Sequence, residues 1–240
     1  MIRTYNLSKR YGSLVALDDL NLTVKKGEFF SLLGVNGAGK TTAIKLLTGL
    51  SKPTAGDIYI GGLNLKENAH QVKCMIGVSA QESAIAPNLT VYENLAFMCN
   101  IYGFSSSKTK AKIEEVTAQM DLAAVLYRKA GQLSGGWKRR VSIAMAIISE
   151  PEILFLDEPT LGLDILARRA LWDLLHSLRT KITVVMTTHY MEEAERLSDR
   201  IGILRNGKLL AVGSANELMQ SVGAVDFETA FVSIVEGDNK

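Results

Sequence analysis

The sequence predicts an α/β fold, and three observations carry that prediction. Gly34-Val35-Asn36-Gly37-Ala38-Gly39-Lys40-Thr41-Thr42 satisfies the pattern G-x-x-x-x-G-K-[ST] at every fixed position. It lies between an apolar run from Glu28 to Leu33 and a helical pattern from Lys40 to Leu50 that ends at Gly49. Ile153-Leu154-Phe155-Leu156 and Ile182-Thr183-Val184-Val185-Met186-Thr187 are short, largely apolar runs, as parallel strands covered on both faces are. Leu20-Asn21-Leu22-Thr23-Val24 instead alternates apolar and polar, the pattern of a strand with one wet face, and predicts an antiparallel β subdomain at the start. Helical periodicity from Thr90 to Leu126 predicts an α-helical subdomain inserted in the α/β core.

With 240 residues the chain can bury one large core, and it reads as a single domain over 1–240. Residues of about 1–83 and 150–220 form the core and β subdomain, about 84–149 the helical subdomain, and about 221–240 a C-terminal tail. Hydrophobic residues at 47% and charged residues at 22% describe an ordinary soluble protein. A net charge of +2 is too small to point to nucleic acid or an anionic membrane as partner. Met1 to Asn6 lacks the basic-then-apolar layout of a leader, and no run approaches the roughly 20 apolar residues of a membrane span. The expected location is therefore cytosolic. Cys74 and Cys99 have no C-x-x-C spacing and are read as reduced thiols in or near the core.

Taken in order, Tyr11 falls on a predicted loop, where its ring either stacks on a purine or simply packs; spacing leaves both open. In the glycine-rich stretch the glycines let backbone N–H groups turn inward on an anion, and the following helix points its positive end there. Gly34, Asn36, Gly37, Ala38, Gly39, Lys40, Thr41 and Thr42 thus form a candidate phosphate cradle, in which Lys40 adds a mobile cation and Thr41 a hydroxyl for Mg2+. Asp57 to Ile60 reads as a short strand and Val72 to Ser79 as a longer one, followed by Gln81. Thr90-Val91-Tyr92-Glu93 is a capping box that opens a helix towards Tyr102.

Leu133-Ser134-Gly135-Gly136-Trp137 precedes an apolar helix, Val141 to Ile148, closed by Pro151, and its glycines form a second nest for an anion. The run from Ile153 ends in Asp157-Glu158, so a buried strand delivers two carboxylates at its C-terminal edge. Asp157 is placed to hold Mg2+ with Thr41, and Glu158 to polarise a water. The next strand ends near His189, at the same edge, where an imidazole meets a γ-phosphate. Ile201 to Leu204, the Asn206-Gly207 turn and Leu209 to Val212 read as a hairpin. Ser214-Ala215-Asn216-Glu217 is a second capping box, and beyond Ser221 the pattern weakens.

The order of these pieces resembles the nucleotide-binding subunit of ATP-binding-cassette (ABC) transporters over nearly the whole chain. Leu133 to Trp137 stands where that family has Leu-Ser-Gly-Gly-Gln, followed by Leu156-Asp157-Glu158-Pro159-Thr160. By the same resemblance Tyr11 matches the adenine-stacking aromatic, Gln81 the Q-loop glutamine, Gly162-Leu163-Asp164 the D-loop and His189 the switch histidine. Val35 in place of a proline and Trp137 in place of the glutamine depart from the pattern without removing a catalytic group.

The resemblance implies a P-loop NTPase of the ABC type with a RecA-like core, using ATP and Mg2+. It implies catalytic roles for Lys40, Gln81, Glu158 and His189, metal contacts from Thr41, Gln81 and Asp157, and nucleotide contacts from Tyr11 and the cradle. Ser134, Gly135, Gly136 and Asp164 would serve the nucleotide of a second cassette, an identical copy by preference. The implied partner is an integral membrane permease subunit on the cytoplasmic face of the cell membrane, with no nucleic acid. Lys138-Arg139-Arg140 and Phe227-Glu228-Thr229-Ala230-Phe231 resemble the branch that exports drugs, sodium, lipids or polysaccharides through a separately encoded subunit. A soluble cassette acting on ribosomes or DNA is the rival reading. Such proteins normally carry paired cassettes or long coiled coils, and this chain shows neither.

Overall fold

The computed structural model describes residues 1–179 and 182–237. The chain runs β1 (Ile2–Tyr11), β2 (Leu14–Leu20), β3 (Thr23–Val24), β4 (Phe29–Leu33), α1 (Lys40–Leu47), β5 (Ala55–Ile60), β6 (Leu63–Asn64), α2 (Ala69–Met75) and β7 (Ile76–Ser79). Then come α3 (Val91–Ile101), α4 (Ser106–Gln119), α5 (Gly135–Ile147), β8 (Ile153–Asp157), α6 (Ile165–Ser177), β9 (Thr183–Thr188) and α7 (Met191–Leu197). β10 (Arg200–Arg205), β11 (Lys208–Gly213), α8 (Ala215–Val222) and α9 (Phe227–Gly237) complete it.

The apolar runs become the middle of one six-stranded sheet, ordered β11-β10-β4-β9-β8-β7 and parallel except for the β10–β11 hairpin. Alternate residues of these strands feed two cores. Leu154, Leu156, Val184 and Met186 face α3 to α6, while Ile153, Phe155 and Val185 face α1 and the second sheet. Because both faces are covered, β8 carries no polar residue before Asp157, and polar residues of the other middle strands, such as Ser31 on β4 and Thr183 on β9, are themselves buried. The second sheet, β2-β1-β5-β6 with β3 also paired to β1, is antiparallel as expected. Both capping boxes form: Thr90 Oγ1 accepts from Glu93 N at the start of α3, and Ser214 Oγ from Glu217 N at the start of α8.

Several expectations need correction. The longest strand, β1, has no counterpart in the sequence reading, because register shifts between Tyr5 and Ser8 and again at Lys9, with Asn6 at φ +49°, break its alternation. Tyr11 is accordingly the last residue of a strand and not part of a loop. The strand expected over 20–24 divides into β2 and β3. Residues 72–75 belong to helix α2, and only 76–79 are strand: Val72 is the buried position of a turn of helix. That helix also carries Cys74, two residues on, to the exposed side, whereas Cys99 is buried. The helix expected from Val141 begins at Gly135. Most of the tail is helix α9, whose Phe227, Ala230, Phe231, Ile234 and Val235 recur at helical spacing against a third core that includes Ile201 and Ile203. Residues 238–240 lie outside the described chain. Among the described residues no single helix is long and apolar enough to cross a membrane.

Candidate functional site

The glycine-rich loop leaves the C-terminal end of β4 and enters α1 at Lys40, with Gly39 as the N-cap at φ +107°. No side chain caps that end, so the first N–H groups of α1 face outward with the positive end of the helix. Gly39 is required twice over. Its φ excludes most side chains, and a Cβ there would lie 2.5 Å from Ala16 O on β2. The same contact brings the β1–β2 hairpin, with Tyr11 near its turn, against the phosphate loop. Tyr11 is half exposed, with Lys9 Nζ 4.9 Å from its ring centroid.

Lys40 is 4% exposed. Its Nζ donates to Gly34 O at 2.8 Å and Val35 O at 3.1 Å and pairs with Glu158 Oε1 at 3.2 Å. Parallel pairing explains the convergence: β4, β9 and β8 all end at this edge, bringing the loop, His189 and the acid pair together. Glu158 itself sits at φ +45°, a conformation costing on the order of 1–3 kcal/mol for a non-glycine residue. Its N–H is held there by Thr187 O at 3.1 Å and Thr187 Oγ1 at 3.0 Å, and the turn aims its carboxylate at Lys40 and at His189 Nδ1, 3.1 Å from Oε2.

Asp157, also buried, accepts from Thr187 Oγ1 at 2.5 Å and from Thr41 Oγ1 at 3.3 Å. Among the described residues no lysine or arginine lies within ion-pair distance of it. A carboxylate beside a threonine hydroxyl, left without a cation, fits a hard divalent ion that shares its remaining ligands with phosphate. Among the described residues no cluster of three or more His, Cys, Asp or Glu offers a competing metal site.

The other candidates are not gathered at this point. Gln81 follows the end of β7, one strand over from Asp157, with an exposed side chain. Ser134 is the exposed N-cap of α5, and its hydroxyl makes no capping bond. Gly135 and Gly136 approach Leu163 and Ala167, so this second nest lies beside the start of α6. Asp164 caps α6 by accepting from Ala167 N at 2.9 Å.

Residues 17–161 match the family model described as ABC transporter. Nod factor export ATP-binding protein I of Burkholderia orbicola is 41% identical over 217 residues, covering 90% of this chain and 71% of that protein. The chain belongs to the ABC transporter family. The probable multidrug ABC transporter ATP-binding protein YbhF of Escherichia coli is 38% identical over 247 residues; the match takes in 100% of this chain but only 42% of that protein. Among solved structures, a dimeric post-hydrolysis state of the ATP-binding cassette MJ0796 bound to ADP and Pi has a TM-score of 0.80 at 29% identity, covering 89% of this chain and 98% of that one. This ABC cassette therefore has the P-loop α/β fold with an antiparallel sheet and intervening helices that its motifs imply.

Three residues of the cassette's interior escaped the sequence reading. In sequence Thr187 is only the end of a strand, yet it orients both acids. Glu193 on α7 is fully buried, and burial pushes its carboxyl up from the usual range while Trp172 Nε1 donates to Oε1 at 3.0 Å. Arg139, one of three consecutive basic residues, is turned inward while its neighbours are part-exposed. For Arg139 and Glu193 the only sequence signal is a charge at a helical position shared with apolar residues.

Trp137, in the signature motif, is half-buried and packs on the core that includes Val141, with the Arg140 guanidinium carbon 4.9 Å from its ring centroid. Since the indole serves packing, Trp137→Gln is expected to change ATP turnover by less than about tenfold, about 1.4 kcal/mol. Phosphate release under saturating ATP measures this, and complete loss would show that the indole has a direct role.

Proposed function

We propose that this cassette hydrolyses Mg-ATP and drives a separate integral membrane subunit, as the motor of an exporter on the cytoplasmic face of the cell membrane. The observation that carries the reading is the buried Lys40–Glu158 pair, with the part-exposed His189 on its other side, beside an uncapped helix N-terminus and with the hydroxyl-bound Asp157 next to it. Backbone N–H groups from Gly34 to Thr42 and the Lys40 ammonium hold the phosphates, and Tyr11 flanks the adenine. Thr41 and Asp157, joined by Gln81, hold Mg2+, which when bound neutralises phosphate charge as a Lewis acid. Glu158 accepts a hydrogen bond from the attacking water and takes up its proton. His189, whose Nδ1 lies 3.1 Å from one Glu158 oxygen, stands between that carboxylate and the γ-phosphate.

Export is supported by the relative named for Nod factor export and by the relative named for multidrug transport. Neither name supports an action on ribosomes or DNA. The dimeric neighbour supports a second cassette as partner, with Ser134, Gly135, Gly136 and Asp164 serving the nucleotide of the other copy. Between β7 and β8 the chain exposes Phe97 and Ile101 on α3, and Tyr127, whose ring stacks on Tyr92 of the same helix, as apolar surface for the membrane subunit.

Lys40→Ala tests the nucleotide assignment. The variant is expected to lose at least about tenfold in affinity for a fluorescent ATP analogue, since one buried charge-assisted contact is worth about 1.5–3 kcal/mol. Thermal melting serves as the control for folding. Unchanged affinity in a folded variant would overturn the assignment.

A further inference from the structure

Three residues on one face of α5 meet β7 and the residues after it. Arg139 donates from Nη1 to Ala80 O at 2.7 Å and from Nη2 to Gln81 O at 2.9 Å. One turn on, Ser142 Oγ lies 2.8 Å from Ser79 Oγ in a hydrogen bond, and near the far end of the helix a Cβ on Gly77 would lie 2.1 Å from Ala146 O. Positions 139, 142 and 146 share a face by helical spacing, so α5 lies along this strand, at backbone contact at Gly77 and through its side chains from Ser79 to Gln81.

Arg139 is an unusual residue for such a place. It is 6% exposed, and among the described residues it has no carboxylate within ion-pair distance. Burial lowers its pKa from the ordinary value, with Asp157 and Glu193 opposing from farther off. A buried guanidinium without a carboxylate partner is costly, and an apolar side chain of similar volume would pack here without that cost. What the guanidinium adds is direction: its planar fork fixes two successive carbonyls. The next residue, Arg140, does nothing comparable, since it turns to Asp121 on the surface.

The geometry points to Arg139 as a positioning residue that locks the backbone of Gln81 to the helix bearing the Ser134–Gly136 nest. This rests on the reading of Gln81 as a metal and γ-phosphate contact. The nest serves the partner's nucleotide and Gln81 serves the chain's own, so Arg139 links the two composite sites of the pair. Closure on one nucleotide displaces α5 and carries Gln81 with it at the other.

The test is a double-mutant cycle of Arg139→Met and Gln81→Ala, read as kcat, as the Mg2+ concentration giving half-maximal activity, and as amide exchange of residues 80–84 in nucleotide-free protein. Arg139→Met is expected to lower kcat by about tenfold, to raise the Mg2+ requirement and to speed exchange of 80–84, with monomer nucleotide affinity unchanged within about twofold. In the Gln81→Ala background the same substitution should cost less than about twofold, because the group it positions is gone. Arg139→Lys, which still donates to one carbonyl, should recover part of the loss. Independent, multiplying losses in kcat, or unchanged exchange at 80–84, would overturn the proposal. Wild-type kcat in Gln81→Ala alone would overturn the reading of Gln81 and, with it, this route for Arg139. If Arg139→Met does not fold, Arg139→Gln carries the same cycle with the same outcomes.

Discussion

Glu158→Gln is expected to lower ATP turnover by about 10²–10⁴-fold, the usual worth of a positioned general base, while ATP binding is kept or strengthened. Glutamine has nearly the same shape and can follow the same backbone turn, so the Thr187 contacts to the residue 158 N–H are retained. Its amide, however, takes up no proton from water. The substitution also removes the carboxylate paired with Lys40 at 3.2 Å. Lys40 then has less to lose when it turns to phosphate, which is why affinity should rise and not fall. Single-turnover phosphate release beside equilibrium nucleotide binding separates the two effects. Turnover near that of the unmodified protein would remove Glu158 from its role.

With hydrolysis blocked in this way, ATP is expected to drive the chain into a stable pair, and adding Ser134→Arg should abolish that pair. Ser134 begins a 13-residue helix with its hydroxyl unused for capping, and the neighbouring Gly135 and Gly136 approach Leu163 and Ala167 of the same chain, not the phosphate loop. On the proposed assignment of Ser134 to Gly136, one chain has two anion nests, although one nucleotide needs only one; a two-fold axis that sets them face to face would give each nest a phosphate. A long cation at position 134 fills the space between the copies and leaves Lys40 and its loop untouched. Gel filtration with ATP should show pairs for Glu158→Gln and single chains for the double variant, with monomer ATP affinity unchanged within about twofold. A double variant that still pairs, or that loses ATP binding as a monomer, would show that Ser134 does not act across an interface.

What the sequence by itself determined follows from local rules. The phosphate loop is legible because a strand-loop-helix passage built on Gly34, Gly37, Gly39, Lys40 and Thr41 has few other uses. The acid pair is legible because a strand covered on both faces leaves no polar position before Asp157. Capping at Thr90 and Ser214 depends only on residues three apart. Such signals survive any tertiary arrangement. Where the local rule was disturbed, the reading failed: β1 loses its alternation at the shift around Asn6, and Val72 anchors a turn of helix in what read as strand.

Only the tertiary structure decided which of several similar side chains turns inward, since that depends on what lies opposite. Lys138, Arg139 and Arg140 are alike as sequence, yet Arg139 alone meets two backbone carbonyls, because α5 begins at Gly135 and runs along β7. Thr187 becomes the support of both acids only because β9 lies parallel to β8 in the register that sets it opposite Asp157. Glu158, Lys40 and His189 are separated by more than a hundred residues of chain from first to last. They converge because parallel β4, β8 and β9 end at one sheet edge, where the strained turn at Glu158 points its carboxylate at the other two.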